Sequence, residues 1–445
     1  MTGPMRLALL QQAPEATAPL ATVSAPEHFG VWLLATLIKM LVLFTIYMVG
    51  VAMLTLFERK VAAWIQDRLG PNRVGPRGLL QPAADGLKNI MKEETYPGQA
   101  YKPLFVLAPA LAFIPALMTW AVIPFGAPWY SRWGVIDMAL APMPIGFLYI
   151  LSIASLGVYG IVLAGWASNN KYSLLGGLRA SAQMISYEIA MGLSTIPVLL
   201  LAGNVSLSAI VAQQTTTGRG WPTPLSWNVF LCTMSFIIFL ISAFAETNRL
   251  PFDMAEAESE LIAGYHSEYS AMKFSMFFIA EYANMVTASA LLATLFFGGW
   301  DIPFWTHDNT SHSLWMTLLT ALVFFAKIMC FVFLYMWIRW TLPRFRYDQL
   351  MALGWKVLLP LALAYIVAMA AAILGVQAAG YVRGSWQFGL ALLVLNVVFL
   401  VVVFGIVDRG RIVSPAYSRL DRRDLQKLQR AAIDRARFAP AEVGE

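Results

Sequence analysis

VWLLATLIKMLVLFTIYMVGVAMLTL, residues 31 to 56, contains a single charged side chain, Lys39. An α-helix needs roughly 20 apolar residues to cross the hydrocarbon of a bilayer, and this run exceeds that length. Its apolarity is continuous rather than alternating, which argues against a barrel strand, and a helix satisfies its own backbone polar groups in lipid. The pattern recurs along the chain. Further runs with approximate cores at 104 to 126, 143 to 166, 181 to 202, 228 to 245, 274 to 298, 314 to 338, 356 to 377 and 387 to 407 bring the total to nine, the fifth being the shortest. Composition agrees: of 445 residues 59% are hydrophobic and 13% charged, and the mean hydropathy is +0.64, far from the balance of a soluble domain. The predicted fold class is an all-α integral membrane protein, a bundle of about nine transmembrane helices with amphipathic helices in its cytoplasmic loops.

Orientation follows from the basic residues, which collect on the cytoplasmic side of membrane helices. Loops 57 to 104, 167 to 180, 246 to 273 and 339 to 356 and the tail from 408 hold 25 Lys and Arg; the opposite side holds only Arg6, Arg132, Arg219 and Arg383. With an odd number of helices, the N-terminus is expected outside and the C-terminus in the cytoplasm. The sequence pI near 9.2 then reflects lipid headgroups and acidic partner surfaces rather than nucleic acid, for which no interleaved aromatic and basic motif exists. Three regions are expected: a flexible N-terminal extension over 1 to 30, the helical bundle over 31 to 407 with cytoplasmic loops 57 to 104 and 246 to 273, and a basic tail over 408 to 445. Within that tail DRRDLQKLQRAAIDRAR fits a cytoplasmic helix on a partner or on lipid, or a solvated segment.

Cys232 and Cys330 lie far apart in apolar runs, with no C-x-x-C pair for zinc or an iron–sulfur cluster. The four histidines are scattered, and neither a H-E-x-x-H site, a Walker A loop nor a nucleophile elbow is present. No metal or redox centre of its own is expected in this chain.

Two polar stretches interrupt the apolar pattern. In FERKVAAWIQDRLGPNRVGPRGLLQPAADGLKNIMKEE, residues 57 to 94, the first part continues the first helix to the surface with Trp64 at the headgroups. GPNRVGP then imposes turns that display Arg68, Arg73 and Arg77. From Leu79 to Glu93 an amphipathic, interface-lying helix resumes, with Leu80, Ala83, Ala84, Leu87 and Met91 on one side. Taken alone, the loop also reads as a positively charged membrane anchor.

The second stretch, AETNRLPFDMAEAESELIAGYHSEYS at 245 to 270, carries Glu246, Asp253, Glu256, Glu258, Glu260 and Glu268, with Arg249 the sole cation among them. Pro251 suits the first turn of a helix with Asn248 nearby as cap and Gly264 as stop. Asp253, Glu256 and Glu260 would then share a face, close enough for repulsion and desolvation to favour proton uptake. A solvated acidic face is the plainer alternative. Glu188 and Glu281 lie inside apolar runs, where an ionised side chain is costly and implies a partner or a water-filled path. Lys39 and Lys327 are intramembrane cations that snorkelling or a nearby acid would explain.

ERK followed by GPNRVGPRGLLQPAADGLK, AETNRLPFDMAEAESELIAGYHSEYS and PRFRYDQLM, in that order, resemble the H-subunit family of NADH:quinone oxidoreductase, respiratory complex I, over most of 31 to 356. The resemblance implies a membrane subunit that forms part of a quinone tunnel and couples quinone reduction to proton translocation in a bacterial-type cytoplasmic (inner) membrane. Quinone is its implied substrate. FMN and iron–sulfur clusters are expected on partners, which include peripheral-arm quinone-site subunits, antiporter-like and small membrane-arm subunits, and the lipid bilayer. By matching motif positions, Arg59, Arg68, Asp85, Phe278 and Arg346 are implied for quinone binding. Asp85, Glu188, Glu246, Glu256, Glu258, Glu260, Glu268 and Glu281 are implied for proton coupling. An energy-converting hydrogenase membrane subunit and an independent ion transporter are the alternatives; no inverted repeat supports the latter.

Overall fold

The computed structural model describes residues 29–131, 134–215, 226–254, 262–305, 313–381 and 385–408. The expected N-terminal extension and basic tail fall almost wholly outside the described residues. α1 (Phe29–Ile65) contains the first apolar run and continues through Glu58, Arg59 and Lys60. At 1.5 Å per residue its 37 residues span about 55 Å, well beyond a hydrocarbon core of about 30 Å, so it extends past the membrane. The turns expected of GPNRVGP follow, with positive φ at Gly75, Arg77 and Gly78. At Gly78 an added Cβ would lie 2.2 Å from the Pro71 carbonyl oxygen, so only glycine closes this loop. α2 (Gln81–Met91) buries none of its residues, as an interface-lying helix would.

α3 (Lys102–Met118), α4 (Gly146–Ala167) and α5 (Lys171–Ala202) pack side by side. The ends of α5 are chemically defined. Asn170 accepts a hydrogen bond from the Tyr172 amide at one end, and Gly203 adopts the left-handed conformation with φ 66° at the other. Between α3 and α4 a short hairpin forms from β1 (Trp129–Ser131) and β2 (Gly134–Ile136), with Trp129 opposite Ile136. Three-residue strands are too short to show alternation, so no pattern in the sequence announces this hairpin.

The fifth apolar run folds differently from the rest. After α6 (Leu207–Gln214) it forms the single turn α7 (Asn228–Leu231), breaks at Cys232 (φ −133°, ψ 49°), and resumes as α8 (Thr233–Glu246). Polar contacts hold the first turn aside: the Asn228 amide donates to Gln214 Oε1 at 3.1 Å and its side chain donates to the Leu295 carbonyl at 2.8 Å. α9 (Ala271–Phe296), α10 (Leu314–Thr341), α11 (Tyr347–Ala352), a π-helical segment (Leu353–Leu358), α12 (Leu359–Ala378) and α13 (Trp386–Asp408) complete the order. Among the described residues eight helical segments are long and apolar enough to cross a membrane, with α8 a shorter apolar helix. The protein is an all-α, multi-pass membrane protein. The described residues up to Leu393 form one compact unit, and those from Val394, the end of α13, belong to a second.

One tightly packed region lies where α3, α4, α5 and α9 meet the segment from Gly264 to Ser270. Phe105 stacks on Tyr269 at 4.0 Å, and Phe277 meets Tyr265 and Tyr269 edge-on at 5.4 and 5.0 Å. Contact is closest at Gly176, where an added Cβ would sit 2.6 Å from the Gly264 Cα, and at Gly165, where it would sit 2.6 Å from the Ser173 carbonyl oxygen. Both intramembrane lysines are met by backbone. Lys39 donates to the carbonyls of Asp137 and Ala139, each at 2.9 Å. Lys327 donates to those of Phe297, Gly299 and Asp301 at 2.7, 2.9 and 2.6 Å, capping the C-terminal end of α9 where a cation is favoured.

Candidate functional site

Four elements distant in sequence converge on one buried carboxylate. Glu58, on the part of α1 that follows the first apolar run, is only 6% exposed. Arg339 at the end of α10 and Tyr282 on α9 both donate to it, and Arg249 Nη1 lies 3.3 Å away. Arg249 is itself 4% exposed; its Nε stands 2.7 Å from Glu281 Oε1, and its guanidinium lies 4.3 Å from the centre of the Tyr282 ring. Burial works against the Arg249 charge, but Glu281 and Glu58 outweigh it and hold the guanidinium firmly protonated. One cation therefore bridges a buried acid and a partly buried one.

The segment that carries Arg249 does not begin the helix expected from Pro251. Residues 251–254 form a turn, a bend and irregular backbone. Their carbonyls have partners outside a helical pattern: Pro251 accepts from the Phe345 amide at 3.1 Å, and Phe252 from the Gln183 side chain at 2.8 Å. Gly264, expected as a helix stop, instead starts the 3-10 turn Gly264–His266. The expected helical face through Glu256 and Glu260, and the position of Glu258, lie outside the described residues.

A cavity of about 740 Å³ opens beside this network, within the range of small-molecule sites. Its charged wall comprises Arg249, Asp253, Glu281, Arg339 and Arg344; Phe274, Phe277 and Phe278 supply its apolar wall. Arg344 Nη2 pairs with Asp253 Oδ2 at 3.2 Å. Burial pushes the Asp253 carboxyl up from its ordinary range, with Arg344 opposing. His266 also faces the cavity, and burial pushes its imidazole down to about 4, so it is neutral at physiological pH. A second, narrower cavity of about 70 Å³, room for about five waters, runs between α3, α4, α5, α8 and α9. It reaches Glu246 and shares Asn248, Tyr265, Phe277 and Glu281 with the first. Glu281 thus stands in the wall between a charged chamber and a mostly apolar one.

The residues implied by the sequence motifs divide accordingly. Phe278, Glu246 and Glu281 line these cavities. Glu188 on α5 accepts a hydrogen bond from Ser155 on α4, which supplies the partner expected of an intramembrane acid. Glu268 accepts from Asn170 at 2.6 Å, which ties the loop to the start of α5. Arg59 pairs with Asp85 at 2.7 Å, linking α1 to α2 at the surface. Arg68 is exposed and donates to Gln66, and Arg346 is exposed at the start of α11. Neither lines the charged cavity, and Arg344 occupies the place there that Arg346 does not. Sequence reasoning passed over Glu58, Tyr282, Arg339 and His266 as site residues and counted Arg249 only as a charge. Glu58 did carry a signal, as the first charge after Lys39 in the long apolar run that starts the fold.

Residues 38–370 match the family described as NADH dehydrogenase. An H subunit of NADH-quinone oxidoreductase from Cytophaga hutchinsonii is 50% identical over 343 residues, 77% of this chain and 98% of that relative. The corresponding H subunit of Flavobacterium psychrophilum is 54% identical over 312 residues, 70% of this chain and 88% of the relative. That of Koribacter versatilis is 49% identical over 353 residues, covering 77% of this chain and 97% of its own length. With a family match over most of the chain and relatives of such identity matched almost end to end, the chain belongs to the NADH dehydrogenase family, among the H subunits of NADH-quinone oxidoreductase, respiratory complex I.

Proposed function

We propose that this chain forms part of the tunnel through which quinone reaches its site of reduction, and that its carboxylates couple the reduction to proton translocation. The observation that carries the reading is the pair of cavities with Glu281 in their common wall. The larger has the size for a quinone headgroup, an aromatic wall for its ring, and charged groups that would respond to charge on the reduced species. The smaller runs into the bundle as far as Glu246, and Glu188 lies on the neighbouring α5 with a hydroxyl partner. Asp85, paired with Arg59 outside the bundle, would act at the tunnel mouth. The relatives' names include NADH and quinone, which supports quinone as the substrate here.

Electrons would come from NADH through FMN and iron–sulfur clusters on peripheral partner subunits, with antiporter-like subunits beside this chain in the membrane arm. The cytoplasmic membrane of a bacterium, with the basic loops inside, is the expected location. The test is purification of the complex in mild detergent and assay of NADH-driven reduction of a short-chain quinone, with and without a quinone-site inhibitor. Glu281→Gln and Glu188→Gln, reconstituted in vesicles, should then lose proton uptake while the complex stays assembled. Full pumping by both variants would refute the coupling role, and a wild-type complex that ignores quinone would refute the tunnel.

A further inference from the structure

Among the described residues, His266 is a polar group of the larger cavity that takes no part in the ionic network. The charged groups of the wall are spent on one another: Arg249 on Glu58 and Glu281, Arg339 on Glu58, Arg344 on Asp253. The imidazole, by contrast, makes ring contacts. Its centre lies 5.0 Å from that of Tyr265, edge to face, and 5.4 Å from that of Phe274. Two aromatic neighbours and a backbone anchored by the Tyr269 amide to the His266 carbonyl at 3.0 Å fix the ring's place. The loop under it is set by the Gly176 to Gly264 approach. An oriented ring whose nitrogens take no hydrogen bond from the described residues, on the wall of a cavity of ligand size, is the arrangement of a recognition group.

We propose that His266 is a hydrogen-bonding position for the quinone headgroup within this cavity, binding it in both oxidation states. The proposal rests on the tunnel reading above. A neutral imidazole has one N–H and one bare nitrogen. It donates to a quinone carbonyl, or accepts from a quinol hydroxyl, without changing its own charge. A carboxylate can only accept and so cannot bond a quinone carbonyl, and an arginine can only donate and so cannot take a quinol hydroxyl's hydrogen, whereas the imidazole does both. Burial keeps the imidazole in the neutral form. The groups that face it from the other walls are Arg249, Asp253, Glu281, Arg339 and Arg344. Binding alone is assigned to His266; no proton or electron has to pass through it.

Two substitutions separate hydrogen bonding from packing. His266→Phe keeps a ring against Tyr265 and Phe274 and loses the polar atoms; His266→Asn keeps a donor and an acceptor and loses the ring. Each is introduced into the full complex in native membranes. KM and kcat are measured for NADH-driven decylubiquinone reduction, normalised to NADH:ferricyanide activity as a measure of assembled enzyme. The expected result is a KM about five-fold higher in His266→Phe, the size of one neutral hydrogen bond, with kcat changed less, and recovery of most of that loss in His266→Asn. An unchanged KM in His266→Phe, or a larger defect in His266→Asn than in His266→Phe, overturns the assignment. His266→Leu serves the same comparison should the Phe variant fail to assemble. Wild-type membranes that do not reduce decylubiquinone would instead sink the tunnel reading, so the two failures are distinct.

Discussion

Replacing Arg249 by Met removes the cation that Glu58 and Glu281 share, and its cost can be worked from the contacts. Glu58 keeps Arg339 and Tyr282. Glu281 loses its 2.7 Å ion pair, and no other ion pair is formed by Glu281 among the described residues. Stranding one member of a buried pair costs about 3–5 kcal/mol. The Glu281 side chain is 22% exposed and borders a cavity that admits water, so the lower end, about 3 kcal/mol, is expected. If about half of that appears in the unfolding barrier, the complex inactivates about ten-fold faster on heating. Turnover cannot report this, because Arg249 also lines the cavity. The assay is therefore fluorescence-detected size-exclusion of a tagged chain after timed heating of membranes. Adding Glu281→Gln removes the stranded charge and should recover about two-thirds of the loss, since a neutralised pair is nearly isoenergetic with an intact one. An Arg249→Met variant as durable as wild type, or a double variant that decays faster than the single one, would show that this pair is not desolvated as the geometry implies.

Arg59→Gln should change heat stability by less than about 1 kcal/mol, because the Arg59 side chain is 50% exposed and its pair with Asp85 is solvent-screened. Any loss of quinone reductase activity in that variant is then functional, whereas loss of the assembled complex on a native gel would contradict its surface placement. Stability should also fall with acid through His266. Its folded value near 4 lies below an unfolded value of about 6.5, so only the unfolded chain takes up the proton between them. The contribution is complete above about pH 6.5 and lost as pH drops toward 4, by on the order of 3 kcal/mol at most. Heating series across that window should show a shallower pH slope for His266→Asn than for wild type; parallel slopes would refute the linkage.

The membrane-spanning helices were legible because continuous apolarity of this length has one solution in lipid. The break at Cys232 was not, because what holds Asn228 aside comes from Gln214 and Leu295, and neither is near it in sequence. The same distance hid the centre of the site. Glu58, Arg249, Glu281 and Arg339 come from four elements, and no spacing rule links positions so far apart. Pro251 misled for a related reason: its helix-starting preference is local, and it yielded to Phe345 and Gln183, which take the backbone carbonyls at 251 and 252. Glu188 and Glu281 were found because a charge inside an apolar run is expensive wherever its partner lies.

The contact between Gly176 and Gly264 has a consequence for inheritance. Each base change in a glycine codon that yields another amino acid adds at least a Cβ, and here that atom would stand 2.6 Å from the opposing backbone. No missense step at Gly176 is therefore neutral by geometry. The codon for a residue with no side chain and no chemistry is thus constrained by the backbone it faces, and variation in a population should be sparse there.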